Sequence, residues 1–458
     1  MPQRTPWRIR RRRPKRSGHL LLASGAPAMD ARAPRPTVEP STWSAGMRPL
    51  AVGARCPVCG RGRLYRVEPG IEVRLDGHAL LSAVCYALEK FRCSACGQVF
   101  TAASPAGAEK YSARARAVVV RGRYYLGVPL YRLEGYQAMV GVPVSDATQW
   151  DQIERVADCA YPVFEQLQTL AAQGEVIYQD DRHVRILSLM AENRRTQAEG
   201  TSAERTGMHT TALVAQHGVQ TICRYFAGRA HAGENLEALL TKREADRGKP
   251  LVMSDALASN TAEEGALIRC HCLAHGRRKF TELEEVFPDE CTVVIEALKQ
   301  VFDHEEEARV QQMSAEARLG YHQQYSGPIM AQLKHWLDAQ FAERTVEPNS
   351  SLGKAFQYLL SHWQTLTRFL EVPGAPLENN TAERALKLAI RQRNNSLFYK
   401  TDYSAYIASM LTSLIATCLQ AGVNALDYLV ALQEHRAAVF HDPAAWLPWN
   451  YHTNLAPS

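Results

Sequence analysis

Long apolar runs are missing from this sequence, which argues against a protein with transmembrane helices. No stretch approaches the ~18 uninterrupted apolar residues that a transmembrane helix requires. Of the 458 residues, 46% are hydrophobic and 22% are charged, a composition typical of a soluble globular protein. The chain is too long to fold around one ordinary hydrophobic core, so we expect about two to four domains. A short apolar segment near the N-terminus is soon broken by Gly25 and Pro27, so it does not form a signal peptide and we expect a cytoplasmic protein.

Acidic residues are missing from the first 16 positions, which hold eight cations. Removing these eight leaves 45 Lys and Arg against 47 Asp and Glu. A nucleic-acid surface, if there is one, must therefore be a local patch. Residues 1–48 are rich in Arg, Pro, Ala and Ser, and we predict a disordered basic tail. Such a tail can hold phosphates, but it can equally be solubilising, or precede a true start at Met29 or Met47.

A disulfide framework is also missing, because the eleven cysteines are an odd number without framework spacing. This indicates a reducing compartment. Two CxxC pairs, Cys56 with Cys59 and Cys93 with Cys96, are each followed by glycine. Two thiolates at this spacing reach one ion, and four complete a tetrahedral structural Zn²⁺ site. We therefore predict a zinc-binding module over residues 49–108.

Residues 109–172 are predicted to form a helical domain. Residues 129–140 can form one helix, Gly141 to Val144 a turn, and Ser145 a good N-cap for a second helix. This is the layout of a helix-turn-helix, whose second helix would present Gln149 to DNA. An ordinary helical hairpin packed on the next domain fits the same spacing.

From Gly174 onward the pattern changes to short strands, followed by a helix near residues 234–244 and another strand. The strand candidates are Val176–Tyr178, Val184–Leu187, Thr210–Ala215, Thr221–Phe226 and Leu251–Met253. This order favours an α/β sheet with mixed pairing. Residues from about 280 to 370 are helical in pattern, and helices continue from about 381 to 436.

Three carboxylates stand where two-metal phosphoryl transfer would need them. Such chemistry requires acids from separate elements around two ions ~3.5–4 Å apart. Asp180 ends the first strand candidate, Asp255 ends the last, and Glu383 lies at the start of a helix. Each also has an ordinary structural explanation: an Asp at a strand end is often a turn residue. Asn380 and Glu383 also have the spacing of a capping box.

Several motifs, in order, resemble insertion-sequence-66 family transposases of the DDE type. The segments that carry the resemblance are residues 178–185 (YQDDRHVR), 224–229 (RYFAGR), 253–255 (MSD), 272–280 (CLAHGRRKF), 378–386 (ENNTAERAL) and 446–450 (WLPWN). The cysteine pairs are also similar to the zinc module of that family. The resemblance covers roughly residues 50–458, and several motifs in one order are more specific than any one.

The resemblance implies an RNase H-like catalytic core with Asp180, Asp255 and Glu383 as catalytic ligands of Mg²⁺ or Mn²⁺. The core would occupy residues 173–281 and 376–436, separated by a helical insertion over 282–375 and followed by a C-terminal tail, 437–458. The first acid departs from the family, which usually has Asp-Glu-Thr where this chain has Asp180-Asp181-Arg182. Asp180 aligns with the metal position and Asp181 with the family's Glu.

Two groups of cations are candidates for contact with DNA phosphates. The first follows the second acid and comprises His275, Arg277, Arg278 and Lys279. Cys270 and Cys272 lie close to His275, but three ligands within six residues make a poor tetrahedron, so we interpret them as structural. The second group recurs at helical spacing after Glu383 and comprises Arg384, Lys387 and Arg391. A basic stripe beside the acids suits a DNA backbone, although a solvated helix face has the same pattern.

These features predict a DNA transposase that hydrolyses transposon ends and transfers the 3′-OH into target DNA. Its partners would be transposon ends and target DNA, a second copy of the chain on paired ends, and accessory proteins of the same element, with no membrane. It would act in a bacterial cytoplasm, at the nucleoid when bound to DNA. The alternatives are a non-catalytic, zinc-containing DNA-binding regulator and an RNase H-like nuclease that cuts without joining.

Overall fold

A computed structural model describes residues 52–65, 80–105, 109–199, 205–257 and 265–455. The chain divides into two compact units, Met1–Asp76 and Gly77–Ser458, and each is described by itself. The basic tail predicted for residues 1–48 lies outside the described residues. The second unit begins with a short antiparallel hairpin of strands β1 (Lys90–Arg92) and β2 (Val99–Thr101).

Three helices follow the hairpin, in the region where the sequence pattern is helical. They are α1 (Ala113–Tyr124), α2 (Leu130–Met139) and α3 (Asp146–Ala172). Ser112 and Ser145 begin α1 and α3, since each hydroxyl accepts a hydrogen bond from the backbone N–H three residues later. Apolar residues of α3 recur every three or four positions, so one face of this long helix is buried against the sheet and the C-terminal helices.

A five-stranded sheet forms the centre of the second unit. Its strands are β3 (Val176–His183), β4 (His209–His217), β5 (Gln220–Gly228), β6 (Leu251–Ser254) and β7 (Ile268–His271). The spatial order is β5-β4-β3-β6-β7. β3, β4 and β5 are an antiparallel meander, whereas β6 pairs parallel to β3 and β7 parallel to β6. The mixed α/β class expected from the sequence is therefore observed.

Two details of the sheet differ from the expectation. The prediction of a strand over Val184–Leu187 was wrong. β3 ends at His183, Ile186 makes an isolated bridge to Tyr399, and α4 (Leu187–Ala198) begins directly afterwards. The ladder with β4 ends at the pair His183–His209; past it, Val184 donates one backbone hydrogen bond to Met208 O (3.0 Å), and the chain then bridges to Tyr399. The sequence pattern also missed β7, whose four residues include an Arg and a His.

Connections after the meander place short helices beside the strand ends. α5 (Ala232–Leu240) follows β5, and it corresponds to the helix expected near residues 234–244. α6 (Leu273–Thr281) follows β7 directly, with Cys272 as its N-cap residue. Both helices therefore start at the carboxyl end of a strand, where loops commonly carry functional side chains.

Residues 282–375 are helical, as the sequence pattern indicates. They form α7 (Pro288–Val310), α8 (Ala315–Ala342), α9 (Ser351–Ser361) and the short α10 (Trp363–Leu366). Their apolar side chains share one core with β6, β7 and α6, including Phe280, Phe356 and Met253. Helices α7 to α10 are thus packed against the part of the sheet that contains the parallel strands β6 and β7.

The last helices are α11 (Asn380–Ser396), α12 (Asp402–Gln420), α13 (Ala425–Glu434) and α14 (Arg436–His441). α12 lies along the edge strand β5. Ser413 and Thr417, one helical turn apart, accept hydrogen bonds from the backbone N–H groups of Tyr225 (2.9 Å) and Cys223 (3.1 Å). An edge strand with unpaired N–H groups invites pairing with other chains, and α12 covers it.

None of the helices in the described part of the chain combines the length and the apolar character needed to cross a bilayer.

Candidate active site

Two parallel strands bring the first two acids to the same edge of the sheet. Tyr178 of β3 is in register with Met253 of β6. Asp180 and Asp255 each follow two residues after that pair, so they occupy matching positions: Asp180 lies within β3, and Asp255 directly follows the last residue of β6. Because side chains alternate along a strand, both acids belong to the face that Tyr178 and Met253 share. Asp180 is buried, and its Oδ1 accepts a hydrogen bond from the backbone N–H of Asp181 (2.8 Å).

The third acid, Glu383, lies in the first turn of α11. The start of this helix is fixed by Asn379, which is fully buried. Its side-chain Nδ2 donates to the backbone oxygen of Gln179 (2.8 Å), and its backbone N–H donates to Cys272 Sγ (3.2 Å). Asn379 therefore attaches the helix that carries Glu383 to the residue that precedes Asp180.

This arrangement replaces the capping box that the sequence spacing allowed. The residue at the N-cap position is Asn379, not Asn380, and its side chain makes no capping hydrogen bond. Glu383 is consequently one position further into the helix than a capping-box Glu would be. Its side chain is 27% exposed, so it is accessible from solvent.

The charges of the three acids influence one another. Burial, together with the negative charges of Asp255 and Glu383, raises the pKa of Asp180 to about 6, while Arg182 and the Asp181 N–H oppose the shift. The guanidinium of Arg182 is 3.8 Å from Asp180 Oδ2. The charges of Asp255 and Glu383 thus act on Asp180 through the space between the three acids.

His275 on α6 lies beside this space. Its Nε2 is 3.6 Å from Glu383 Oε1. Burial lowers the pKa of His275, and the charge of Glu383 acts in the opposite direction. His275 therefore braces the third acid, whereas the sequence suggested a contact with DNA or with the second acid. Cys270 and Cys272 are fully buried, which agrees with their structural interpretation.

The other cations of α6 line a cleft of about 220 Å³ next to Asp255. Arg278 and Lys279 are exposed and line the cleft, while Arg277 is partly buried. The Nζ of Lys279 lies 4.4 Å from the ring centroid of Tyr358, a residue of α9. Helix α9 therefore contributes an aromatic side chain to the wall of this cleft.

The cations of α11 share one face of the helix. Arg384, Lys387 and Arg391 are all exposed, at positions three, then four residues apart. Arg391 also donates from Nη1 to the backbone oxygen of Tyr125 (3.1 Å). The stripe starts one residue after Glu383 and leads away from the acids.

Gln149 was wrongly predicted to contact DNA. It is fully buried, and its side-chain amide nitrogen, Nε2, donates to the backbone oxygens of Val144 (2.8 Å) and Leu130 (3.3 Å). The side chain holds the start of α2 against the start of α3. The helix-turn-helix layout of α2 and α3 is present, but the residue chosen as its reading position faces inward because it lies on the buried stripe of α3.

The cysteine pairs form two similar turns, one in each unit. In the first unit, the N–H of Gly60 donates to Cys56 O (2.8 Å), and in the second, the N–H of Gly97 donates to Cys93 O (3.0 Å). Both glycines have positive φ, 66° and 76°, a conformation that glycine adopts without strain. In each pair, backbone N–H groups are the leading cause of a lowered cysteine pKa, for Cys59 and Cys93. The zinc site built from Cys56, Cys59, Cys93 and Cys96 stays a prediction.

Sequence reasoning missed two groups of residues. Asn379 belongs to a recognised motif, but its part in holding α11 on β3 depends on a contact 200 residues away in sequence. The second group is Asp181, His209 and His231, whose ligand atoms all lie within 4.8 Å of one another. Within the described residues, no other group of three or more His, Cys, Asp or Glu is as tight. Among the described residues, Asp180, Asp255 and Glu383 do not form a group of this tightness.

Comparison with known proteins places the chain among transposases. The sequence profile of the Transposase IS66 family matches residues 109–406. An uncharacterized protein, y4jD, of Sinorhizobium fredii (strain NBRC 101917 / NGR234) is 26% identical over 409 residues, which cover 87% of this chain and 78% of the relative. Another from the same organism, y4hP, is 24% identical over 427 residues, covering 86% of this chain and 73% of the relative. The matched profile spans well over half of the sequence and contains all three acids, and the chain belongs to the IS66 family of transposases.

Proposed function

We propose that this protein cuts DNA at transposon ends and joins the freed 3′-OH to target DNA at one site built from Asp180, Asp255 and Glu383. The observation that carries the proposal is the placement of these acids. Two of them occupy matching positions on adjacent parallel strands, Asp180 within β3 and Asp255 just after β6, and the third lies on a helix anchored to β3. Each acid comes from a separate element, as two-metal phosphoryl transfer requires.

The sheet supports the further proposal of an RNase H-like core. Three antiparallel strands continued by two parallel strands, in the order β5-β4-β3-β6-β7, are what that fold would need. The acids would then lie on its first strand, just after its fourth strand and on a later helix. The helices α7 to α10 would be an insertion between the second and third acids.

The donor set fits Mg²⁺ or Mn²⁺. Three carboxylates supply hard oxygen ligands, and the raised pKa of Asp180, to about 6, reflects like charges and burial that a divalent cation would offset. Such ions, when bound, would lower the pKa of an attacking water or hydroxyl and stabilise the leaving oxygen. The residues of the chain hold the acids in place: Asn379 fixes the helix of Glu383, and His275 contacts Glu383 itself.

The cations beside the acids would carry the DNA backbone. Arg278 and Lys279 border the second acid, and the stripe that begins at Arg384 borders the third. Phosphate contacts of this kind position a duplex without reading its sequence. Arg277 and His275 are less exposed, so we assign them to supporting the site. Pairing two transposon ends would require at least two copies of the chain, with or without accessory proteins of the same element.

The test is DNA cleavage by the purified full chain in Mg²⁺, on a labelled duplex that carries the end of its flanking inverted repeat. We expect metal-dependent cuts at the repeat boundary, and a loss of about 10²–10³-fold or more in Glu383→Gln. Asp180→Asn should abolish cleavage and spare DNA binding. Glu282→Gln is the matched control, because Glu282 is an exposed acid of the neighbouring cleft and its loss should leave cleavage unchanged.

Each other outcome has a defined meaning. Cleavage that survives in both Asp180→Asn and Glu383→Gln would refute the three-acid site. Tight binding without cleavage in the parent and in every variant would favour the DNA-binding regulator. Cuts without any joined product, on duplexes with or without the repeat, would favour a nuclease.

A further inference from the structure

We propose that Asp181, His209 and His231 form a second metal site, separate from the three acids, for a transition ion such as Zn²⁺. The site goes beyond the proposed cleavage chemistry, since it uses other residues on the other face of the sheet. Its three ligands come from β3, from β4 and from the residue that precedes α5.

The register of the strands separates the two sites. Successive side chains of a strand point to opposite faces, so Asp181 faces away from the side on which Asp180 lies. His183 shares the face of Asp181, and His183 is paired directly with His209 across the antiparallel ladder. Directly paired residues share a face, which brings His209 to the side of Asp181.

The distances are those of a cluster that an ion could bridge. Asp181 Oδ2 is 3.2 Å from His231 Nδ1 and 3.8 Å from His209 Nδ1. The ring centroids of the two histidines are 3.8 Å apart. The side chains of His209 and Asp181 are 7% and 12% exposed, whereas that of His231 is 36% exposed. Two ligands are therefore shielded, and the third borders solvent, from which an ion can enter.

The surroundings support the arrangement. A Cβ at Gly207 would lie 3.0 Å from His209 Nε2, which is a tight contact, so the glycine gives the imidazole more room. The backbone N–H of His231 donates to Glu234 Oε2 (2.9 Å), which fixes the start of α5. Asn235 Nδ2 donates to Thr211 Oγ1 (2.9 Å), which attaches α5 to β4. The three ligands are thus held on elements that are already tied together.

The donor set selects the class of ion. Two imidazoles and a carboxylate suit Zn²⁺ and its first-row neighbours, whereas Mg²⁺ prefers oxygen ligands alone. Three protein ligands leave a fourth position for water. A bound ion would link β3, β4 and the start of α5 immediately beside Asp180. The position of this part of β3 would then depend on the metal.

The experiment measures Zn²⁺ and Co²⁺ binding by the full chain after removal of metal with a chelator. The variants are His231→Asn, chosen because its side chain is partly exposed, and Asp181→Asn. The matched control is His217→Asn, since His217 is a second histidine of β4 that lies near a carboxylate, 3.6 Å from Glu175. Loss of a partner that only orients a ligand costs about 10–100-fold in affinity, so loss of a ligand itself should cost about 100-fold or more.

We expect one equivalent of Zn²⁺ to be lost in His231→Asn and Asp181→Asn and kept in His217→Asn. The Co²⁺ spectrum separates this site from the cysteine pairs: the variants should lose nitrogen–oxygen-type bands and keep any thiolate charge-transfer bands. Zn²⁺ should also raise the melting temperature of the parent and of His217→Asn more than that of His231→Asn. Equal zinc content and equal spectra in the parent and His231→Asn would overturn the proposal and leave a hydrogen-bonded His–Asp cluster.

Discussion

The buried side chain of Asn379 gives the sharpest test of how this site is built. Replacing Asn379 by Ala removes its Nδ2 donor, and with it the 2.8 Å hydrogen bond to Gln179 O. The bond from the backbone N–H of residue 379 to Cys272 Sγ remains, because alanine keeps that group. The substitution therefore removes one buried hydrogen bond between β3 and α11.

The magnitude follows from burial and from the position of Glu383. Losing one partner of a buried hydrogen bond costs about 1–3 kcal/mol. Glu383 is one turn further along α11, since its N–H donates to Asn379 O (3.1 Å). A displacement of about 1 Å at a catalytic group can cost about 10²-fold in rate. We expect a loss of about 1–3 kcal/mol in the free energy of unfolding and a decrease of about 10- to 100-fold in cleavage.

The assay compares denaturant unfolding and Mg²⁺-dependent cleavage in Asn379→Ala and Asn380→Ala. Asn380 is a matched control: it is the same residue type at the next position, and in the described part of the chain its side chain makes no hydrogen bond. The control should retain stability and activity. If Asn379→Ala loses stability but cleaves at the parental rate per folded molecule, Asn379 is structural only. If both variants match the parent, the anchoring argument is wrong.

Three further predictions concern the pH response, the sheet edge and the DNA surface. Because the pKa of Asp180 in the metal-free site is raised to about 6 and metals bind the ionised carboxylate, protons compete with Mg²⁺; at subsaturating Mg²⁺, cleavage should fall about tenfold per pH unit below 6 and be level above it. The same shift means that the metal-free fold gains stability as pH falls from about 6 towards 4, a gain that Asp180→Asn should lack in pH-dependent unfolding. Thr417→Val and Ser413→Ala each leave a buried N–H of β5 without its acceptor, and each should cost about 1–3 kcal/mol in denaturant unfolding; no loss would mean that another acceptor serves the edge. Replacing Arg384 and Lys387 by Ala should weaken DNA binding and reduce the slope of log K against log salt by about 1 per cation; an unchanged slope would remove α11 from the DNA surface.

The sequence was informative where local pattern and motif agree. Short apolar runs predicted β3 to β6, and the helical pattern of residues 280–370 predicted the long helices α7 and α8. The resemblance placed the chain in a transposase family, which the profile over residues 109–406 bears out. The position of Asp255 directly after a strand followed from the same reasoning, because a polar residue that ends an apolar run marks the end of a strand. Asp180 instead lies within β3, which continues to His183.

The tertiary structure decided what depends on pairing between distant segments. The strand expected at Val184–Leu187 is absent: the ladder with β4 ends at the pair His183–His209, and Ile186 bridges to Tyr399 before α4 begins. The orientation of Gln149 followed from packing on the buried face of α3, which helical spacing alone does not assign. These errors share one cause: propensity is a local property, whereas burial and hydrogen-bond partners are set by other parts of the chain.

The same division holds for the candidate sites. Motif order alone identified the three acids as one group, but their common edge depends on the parallel register of β3 and β6 and on the contact between Asn379 and Gln179. Nothing local in the sequence joins Asp181, His209 and His231. Their proximity arises because antiparallel pairing places residues 28 positions apart in sequence on one face of a sheet, and the start of α5 then adds the third ligand.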